Sequence, residues 1–304
     1  MSIRAIASAS TVAICGLLVL GGCATPTTAA PPPDATAILP PAPANNGGND
    51  KATTPGAASA LATAYYTGHG LPQDYTKAAF WYGQAAPEGD VTSQYMLATM
   101  YQTGQGVPPD AGYAVYWFAQ AAAQGNVQAE VALGDAYAHG VGIAENDTKA
   151  SYWYGKAAAT GNAYAQNALG YDYNYGTGVP QDYSKAAQYF AAAAAQGNAK
   201  AEFNLGNYYA HGYGVAQSDV LAASWWQKSA QQNNADAQNA LGNAYHLGVG
   251  VPQNDGQAAY WWNLAATQAN AAAELSLGQA YQTGTGVKQD LQQSAYWLLL
   301  ASTQ

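Results

Sequence analysis

Apolar residues recur along this chain at helical spacing, and the whole pattern returns every 36 residues. In one such unit Ala129, Leu133 and Tyr137 lie four residues apart, which is the spacing of one face of a helix. The run ends at Gly140, and Gly142 follows. A glycine adopts the left-handed conformation that ends a helix, and a second one lets the chain turn back. The pattern therefore predicts a helix, a tight turn and a second helix in each unit.

Seven copies of this unit follow one another without an insertion. Each has a Leu, a Tyr four residues later and a Gly-x-Gly pair three residues after that Tyr. The pairs begin at Gly68, Gly104, Gly140, Gly176, Gly212, Gly248 and Gly284. Side chains suited to capping the second helix follow most pairs, at Asp74, Asp110, Asn146, Asp182, Asn254 and Asp290. Short helix pairs cannot bury an aromatic face alone, so neighbouring units must stack.

The repeated sequence, LGxxYxxGxGVxxDxxKAxxWYxKAAxxGNxxA, resembles the Sel-one-like repeat, a helical-pair relative of the tetratricopeptide repeat. The fourth unit shows it well with Leu169, Gly170, Tyr173, Gly176 and Gly178. The resemblance implies an all-α fold, a right-handed α-solenoid (superhelix) of seven 36-residue helix-turn-helix repeats over residues 55–304. Family members are adaptors and scaffolds, commonly extracytoplasmic in bacteria, so it also implies protein binding rather than catalysis.

The residues before the first unit are typical of a targeting segment. A basic start, an apolar stretch and the sequence Leu-Gly-Gly-Cys ending at Cys23 predict a signal peptide over residues 1–22. The tetrapeptide resembles a bacterial lipobox, which implies cleavage before Cys23 and acylation of that cysteine. An ordinary signal peptide and an uncleaved membrane helix remain as alternatives.

Residues 23–54 are rich in Pro, Ala and Thr and predict a disordered tether between the lipidated cysteine and the repeats. Residue 24 is Ala rather than Asp. In enterobacterial lipoproteins this difference implies transfer to the outer membrane. We therefore expect a lipid-anchored envelope protein that faces the periplasm, with the membrane and other envelope proteins as its partners.

The charge of the chain argues against nucleic acid as a partner. Only 9% of the residues are charged, and the single arginine, Arg4, lies in the predicted signal peptide. Without it the chain carries eight lysines against 18 acidic residues, a net charge of −10. Binding a phosphate backbone requires clustered basic side chains. Cys15 would be lost with the signal peptide, so a disulfide within the mature chain is excluded.

No catalytic motif or cofactor site is indicated. The chain has no Ser-x-x-Lys, Gly-x-Ser-x-Gly or His-Glu-x-x-His sequence. The recurrent Gly-x-Gly predicts turns rather than phosphate loops, and the four histidines lie beside those turns. Some cysteine-rich secreted relatives bind penicillin or hydrolyse β-lactams, so a cell-wall glycan or β-lactam binding protein with hydrolase activity stays as the alternative function. Those relatives carry a disulfide in each unit, which this chain lacks.

Function is expected where the units differ while the repeated frame stays constant. The positions two after each Leu and one after each Tyr lie three residues apart, on one face of the first helix. We name this set the first-helix ladder and expect it to bind a partner through amide and Tyr groups; an ordinary polar face is the alternative. Its members are Thr99, Gln102, Asp135, Tyr171, Asn174, Asn207, Asn243, His246, Gln279 and Gln282.

The last unit ends on an apolar sequence. Leu298, Leu299 and Leu300 stand where the third unit has Tyr, Gly and Lys. A terminal repeat needs a polar outer face to stay soluble. These leucines therefore predict a terminal interface, for a homodimer or a docked partner, with self-sealing of the last helix as the alternative.

Overall fold

The computed structural model describes residue 52 and residues 54–303 of the chain. Within this range the chain forms fourteen α-helices in seven pairs, one short 3-10 helix at Ala86–Glu88 and no β-strand. The α-helices are α1 Pro55–Thr67, α2 Tyr75–Ala85, α3 Val91–Thr103, α4 Ala111–Ala123, α5 Val127–His139, α6 Asp147–Ala159, α7 Ala163–Tyr175, α8 Tyr183–Ala194, α9 Ala199–His211, α10 Asp219–Gln231, α11 Ala235–Leu247, α12 Asp255–Ala266, α13 Ala271–Thr283 and α14 Leu291–Ser302.

Each helix packs mainly against the helix before it and the helix after it in the chain, most closely within a pair. This one-dimensional stacking is characteristic of repeat proteins. The predicted α-solenoid of seven helix pairs is thus confirmed. The predicted signal peptide, Cys23 and most of the predicted tether lie outside the described residues. No helix in the described part is both long and apolar enough to span a membrane.

Side-chain caps define where the helices begin. The predicted caps of the second helices are confirmed: Asp182, for example, accepts a hydrogen bond from the backbone N–H of Lys185. Ser218 does the same in the fifth unit, where no cap was predicted. Asn198 caps the first helix α9 through the N–H of Ala201. Each cap accepts a hydrogen bond from one of the otherwise unpaired amides at a helix start.

The two turn glycines have different roles. Gly140, with φ of 66°, ends α5 and donates its N–H to the carbonyl of Ala136. Gly142 also has a positive φ, but it lies against the start of α4 in the preceding unit, where a Cβ would overlap the carbonyl of Ala111. The second glycine therefore allows close contact between units as well as the turn within one.

The residues that recur in every unit form the core. Leu133 and Leu241 are completely buried, and the recurrent Trp and Tyr of the second helices lie in the buried clusters or pack against them. In five units the residue after the Leu is a glycine. At Gly242 a Cβ would lie 2.5 Å from the indole Cδ1 of Trp262 on the paired helix. These glycines let the paired helix place a large side chain directly on the backbone.

A row of buried polar side chains runs through the first helices, at the fourth residue of each of units two to seven. Gln166 shows its role: its Nε2 donates to the carbonyl of Ala158 in the preceding unit, and its Oε1 accepts from Gln196 at 2.8 Å. Buried polar groups must find such partners. We call this set the buried polar row; it comprises Gln94, Glu130, Gln166, Glu202, Gln238 and Glu274.

Candidate functional site

The first-helix ladder lies on α3, α5, α7, α9, α11 and α13, one helix in each of units two to seven. Four members are exposed, at Gln102, Asn243, Gln279 and Gln282. The remaining six are half-buried. The ladder is therefore accessible to a partner only in part, and the surroundings of its half-buried members determine what they can do.

In three units the ladder residue two after the Leu accepts a hydrogen bond from the second helix of the same unit. Asn207 Oδ1 accepts from Trp226 Nε1 at 3.0 Å, and Asn243 Oδ1 accepts from Trp262 Nε1 at 2.9 Å. Asp135 accepts from the hydroxyl of Tyr154 at 2.7 Å. These bonds orient the ladder side chains, and the sequence pattern gave no sign of them.

Other ladder members connect adjacent units. Tyr208 of the fifth unit donates its hydroxyl to Asn174 Oδ1 of the fourth at 2.6 Å. Tyr171 donates in the other direction, to Asn204 Oδ1 at 3.2 Å. His246 instead contacts the second helix of its own unit, with Nδ1 2.7 Å from Asp255 Oδ1. No side-chain hydrogen bond holds Gln102, Gln279 or Gln282 among the described residues.

A pocket with a volume of about 410 Å³ opens between the second and third units. It brings together two predicted ladder residues, Gln102 from α3 and Asp135 from α5. Tyr95 and Phe118 form an aromatic wall, with ring centroids 5.9 Å apart. Sequence reasoning named Gln102 and Asp135 but not the aromatic wall, because a unit gives no indication of the gap that it leaves against the next one.

The carboxylate of Asp135 is held by two tyrosines. Tyr154 from its own unit and Tyr164 from the next both donate to Oδ1, at 2.7 and 2.9 Å. Burial raises the pKa of both hydroxyls, and the hydrogen bond to the Asp135 carboxylate raises it further, to about 12 for Tyr164. The tyrosines thus remain protonated donors at neutral pH, and Asp135 is fixed in place.

A group of aromatic rings continues this face in the fourth and fifth units. Tyr171 and Tyr175 stack with ring planes 2° apart, and Tyr175 is 71% exposed. Tyr213 stacks between Tyr183 and His211. Of these rings only Tyr171 belongs to the predicted ladder; the others lie at helix ends, at a helix start or in a turn.

The predicted terminal interface lies on α14. Leu298 packs onto Gly278 of α13, Leu300 is half-buried and Leu299 is 64% exposed. Leu291 and Tyr296 of the same helix are also exposed. Within the described range, no group of three or more His, Cys, Asp or Glu side chains is arranged to hold a metal ion.

Comparison with protein-family models identifies the repeated unit. The Sel1 repeat model matches seven consecutive segments, residues 55–90, 91–126, 127–162, 163–198, 199–234, 235–270 and 271–304. A search of curated proteins finds no match.

Two solved structures are similar over 82% of this chain. One is a protective antigen of uropathogenic Escherichia coli strains that displays an SLR fold, 31% identical with a TM-score of 0.76. The other is a Sel1 repeat protein from Oxalobacter formigenes, 34% identical with a TM-score of 0.68. The match covers 53% of the E. coli protein and 72% of the Oxalobacter protein, so this chain spans about half the length of the former.

Proposed function

The chain belongs to the Sel1 repeat family, and from this premise we propose that it is a scaffold that binds a partner protein along its first-helix ladder. Sel1 repeat proteins are in general protein-interaction scaffolds, and their fold is typically non-catalytic. The observation that carries the proposal is the pocket between the second and third units, where the variable ladder positions Gln102 and Asp135 meet. We expect a partner to contact the positions at which the side chains differ from unit to unit while the repeated helix pair stays the same.

The internal hydrogen bonds of the ladder support this function. The side-chain oxygens of Asn207 and Asn243 accept bonds from tryptophan, while their amide nitrogens donate none within the described residues. Each amide is therefore held with its N–H groups available to a partner's carbonyl oxygens. Side chains fixed in advance lose less entropy on binding, which favours affinity.

The cellular location belongs to the same proposal. Lipidation at Cys23 would anchor the scaffold to a membrane, since stable anchoring takes more than one acyl chain and a lipoprotein cysteine carries several. We place it in the bacterial outer membrane, facing the periplasm. Metabolic labelling with radioactive palmitate tests the lipidation of Cys23. Wild type should be labelled and Cys23→Ser should not, whereas equal labelling of the two would contradict lipidation at this residue.

Site-specific photo-crosslinking in intact cells tests the binding surface. A photoreactive amino acid replaces Gln102 or Gln279 on the ladder, and Gln188 or Gln227 on second helices serves as the matched control. All four are exposed glutamines without a side-chain hydrogen bond among the described residues. We expect one defined crosslinked protein from the ladder positions and none from the controls.

Mass spectrometry of the crosslinked band then identifies the partner. Equal crosslinking from both sets of positions, or crosslinking from the controls alone, would show that the ladder is not the binding surface. No crosslinked protein from any position would overturn the scaffold function itself.

A further inference from the structure

The pocket between the second and third units is lined by one acidic side chain and by no Lys or Arg among the described residues. That acidic side chain is Asp135. The ion pairs in the described range involve Glu130, Asp182 and Asp255, not Asp135. Asp135 is thus a negative charge in a largely apolar pocket, and no Lys, Arg or His among the described residues forms an ion pair with it.

The hydrogen bonds of Asp135 limit what can neutralise it. Oδ1 already accepts two tyrosine hydroxyls, which use both of its lone pairs. Oδ2 accepts no hydrogen bond from the described residues. A guanidinium binds best to both oxygens of a carboxylate at once, whereas an ammonium needs only one and acts as a compact point charge. The site therefore favours an ammonium over a guanidinium.

The rest of the pocket fits the stem of such a group. Tyr95, Phe118 and Val131 supply apolar and aromatic surface for an alkyl chain, and lysine is known to bury its methylenes in this way while its head stays polar. Gln102 adds an amide oxygen as a second acceptor. Aromatic faces near a cation contribute further attraction.

We propose that this pocket binds the side chain of a lysine in an extended segment of the partner protein. The ammonium donates to Asp135 Oδ2 and to the amide oxygen of Gln102, and the alkyl stem lies against the wall of Tyr95 and Phe118. The inference rests on the proposed scaffold function and names the chemistry that the partner presents to the second and third units.

Alanine methyl groups provide a direct measurement. Four alanines line the pocket, at Ala111, Ala114, Ala132 and Ala136. The purified protein, labelled with carbon-13 at its alanine methyls, is titrated with the N-acetyl methylamides of lysine, norleucine and arginine. We expect the lysine probe to shift the pocket methyls, with norleucine, which lacks the charge, weaker by about tenfold or more, and arginine weaker than lysine. Equal affinity for lysine and norleucine would overturn the proposal.

Asp135→Asn is the matching variant. Asparagine keeps the side-chain oxygen that accepts from Tyr154 and Tyr164, so the fold is retained, but the negative charge is gone. We expect its affinity for the lysine probe to fall to that of norleucine. Asp219→Asn removes one charge from an exposed position in the fifth unit and should leave the titration unchanged. If both variants weaken binding equally, the effect is one of net charge, and the proposed contact is wrong.

The titration and the crosslinking experiment test different claims, so the lysine site and the scaffold function can fail independently. A ladder crosslink without a lysine response would leave the scaffold function standing and remove only the lysine site. A lysine response without any crosslink would support the pocket and count against the scaffold function.

Discussion

Single residues of the buried polar row show how costly a small chemical difference becomes inside the repeat. Gln94, Gln166 and Gln238 each donate an amide N–H to a carbonyl of the preceding unit. Glu130 stands at the same position, has no N–H to donate, and its Oε2 is buried without a hydrogen bond. Burial raises the pKa of this carboxyl, and Lys156, 3.5 Å away, lowers it only in part.

Glu130→Gln should therefore stabilise the protein by about 1 kcal/mol at pH 7, because the new amide can donate to the Ala122 carbonyl and no buried charge remains. The raised pKa of Glu130 means that its contribution to stability is present at low pH and is lost as the pH rises. In urea unfolding at several pH values, the variant should lose less stability than wild type as the pH rises above the ordinary pKa of a glutamate. Gln166→Glu is the reverse control and should destabilise. A loss of stability in Glu130→Gln would show that the ion pair with Lys156 outweighs the burial.

The difference between what could and could not be predicted is also clearest at this scale. Leu133, Tyr137 and Gly140 were assigned correctly, because one period shared by seven units fixes their place in the helix and turn. The hydrogen bond from Trp226 to Asn207 could not be predicted, since it depends on how two helices are rotated against each other. Glu130 was missed because polar residues of an amphipathic helix are normally assigned to solvent.

At the scale of the helix, glycine has opposite effects at two kinds of position. A glycine inside a helix usually costs about 0.5–1 kcal/mol relative to alanine. Gly155 of α6 has open space around it, with nothing within 4 Å of an added Cβ. Gly242 of α11 is covered by the indole of Trp262. Packing between paired helices, rather than helix propensity, explains why a glycine stands at position 242.

Alanine substitutions at these two positions should have opposite effects. Gly155→Ala should raise the free energy of unfolding by about 0.5–1 kcal/mol. Gly242→Ala should lower it by about 1–3 kcal/mol, because the indole must move away from an overpacked backbone. Thermal unfolding followed by circular dichroism measures both. Stabilisation by Gly242→Ala would mean that the contact with Trp262 is not needed.

The contact between the third and fourth units contains a polar group where other units are apolar. Ser151 Oγ lies 2.7 Å from Asp172 Oδ2 and 3.0 Å from the Thr177 carbonyl. One hydroxyl proton cannot serve both acceptors fully. Burial raises the pKa of Asp172 to about 6, the Ser151 bond opposes this, and Asp147 adds to the increase. A protonated Asp172 would donate to Ser151, which could then donate to Thr177.

Because the pKa of Asp172 is higher in the folded than in the unfolded chain, its stabilising contribution is complete below about pH 4 and is lost as the pH rises through about 6. Asp172→Asn keeps a donor at every pH, so it should stabilise the protein by about 1–2 kcal/mol at pH 7 and reduce this pH dependence. Asp236→Asn, at an exposed position, should leave the pH dependence as it is. A pH profile unchanged by Asp172→Asn would contradict this assignment.

At the scale of the whole array, the helices pack mainly against the helices before and after them in the chain. Stability is therefore close to a sum of the units and the contacts between adjacent units. Among the described residues α14 is the last helix, and part of its surface is apolar. Leu299 and Leu291 are exposed there, at 64% and 65%. Exposed apolar side chains grouped on one helix are typical of an interface.

We expect a second copy of the chain to cover this end. Sedimentation at micromolar concentration should then report a dimer for wild type and a monomer for Leu299→Gln. Leu221→Gln changes an exposed leucine in the fifth unit and should leave the dimer intact. A wild-type monomer would instead favour self-sealing of α14 by its own contacts with α13.

The second glycine of each turn has a consequence for how such a chain can change in length. Gly142 lies directly on the carbonyl of Ala111 in the preceding unit, and Gly178 lies in the same way on Asp147. An insertion or deletion of a few residues between such partners would carry the glycine away and bring a side chain against that carbonyl. Evolution should therefore add or remove whole repeats rather than a few residues. The length of the binding surface would then change only in steps of one repeat.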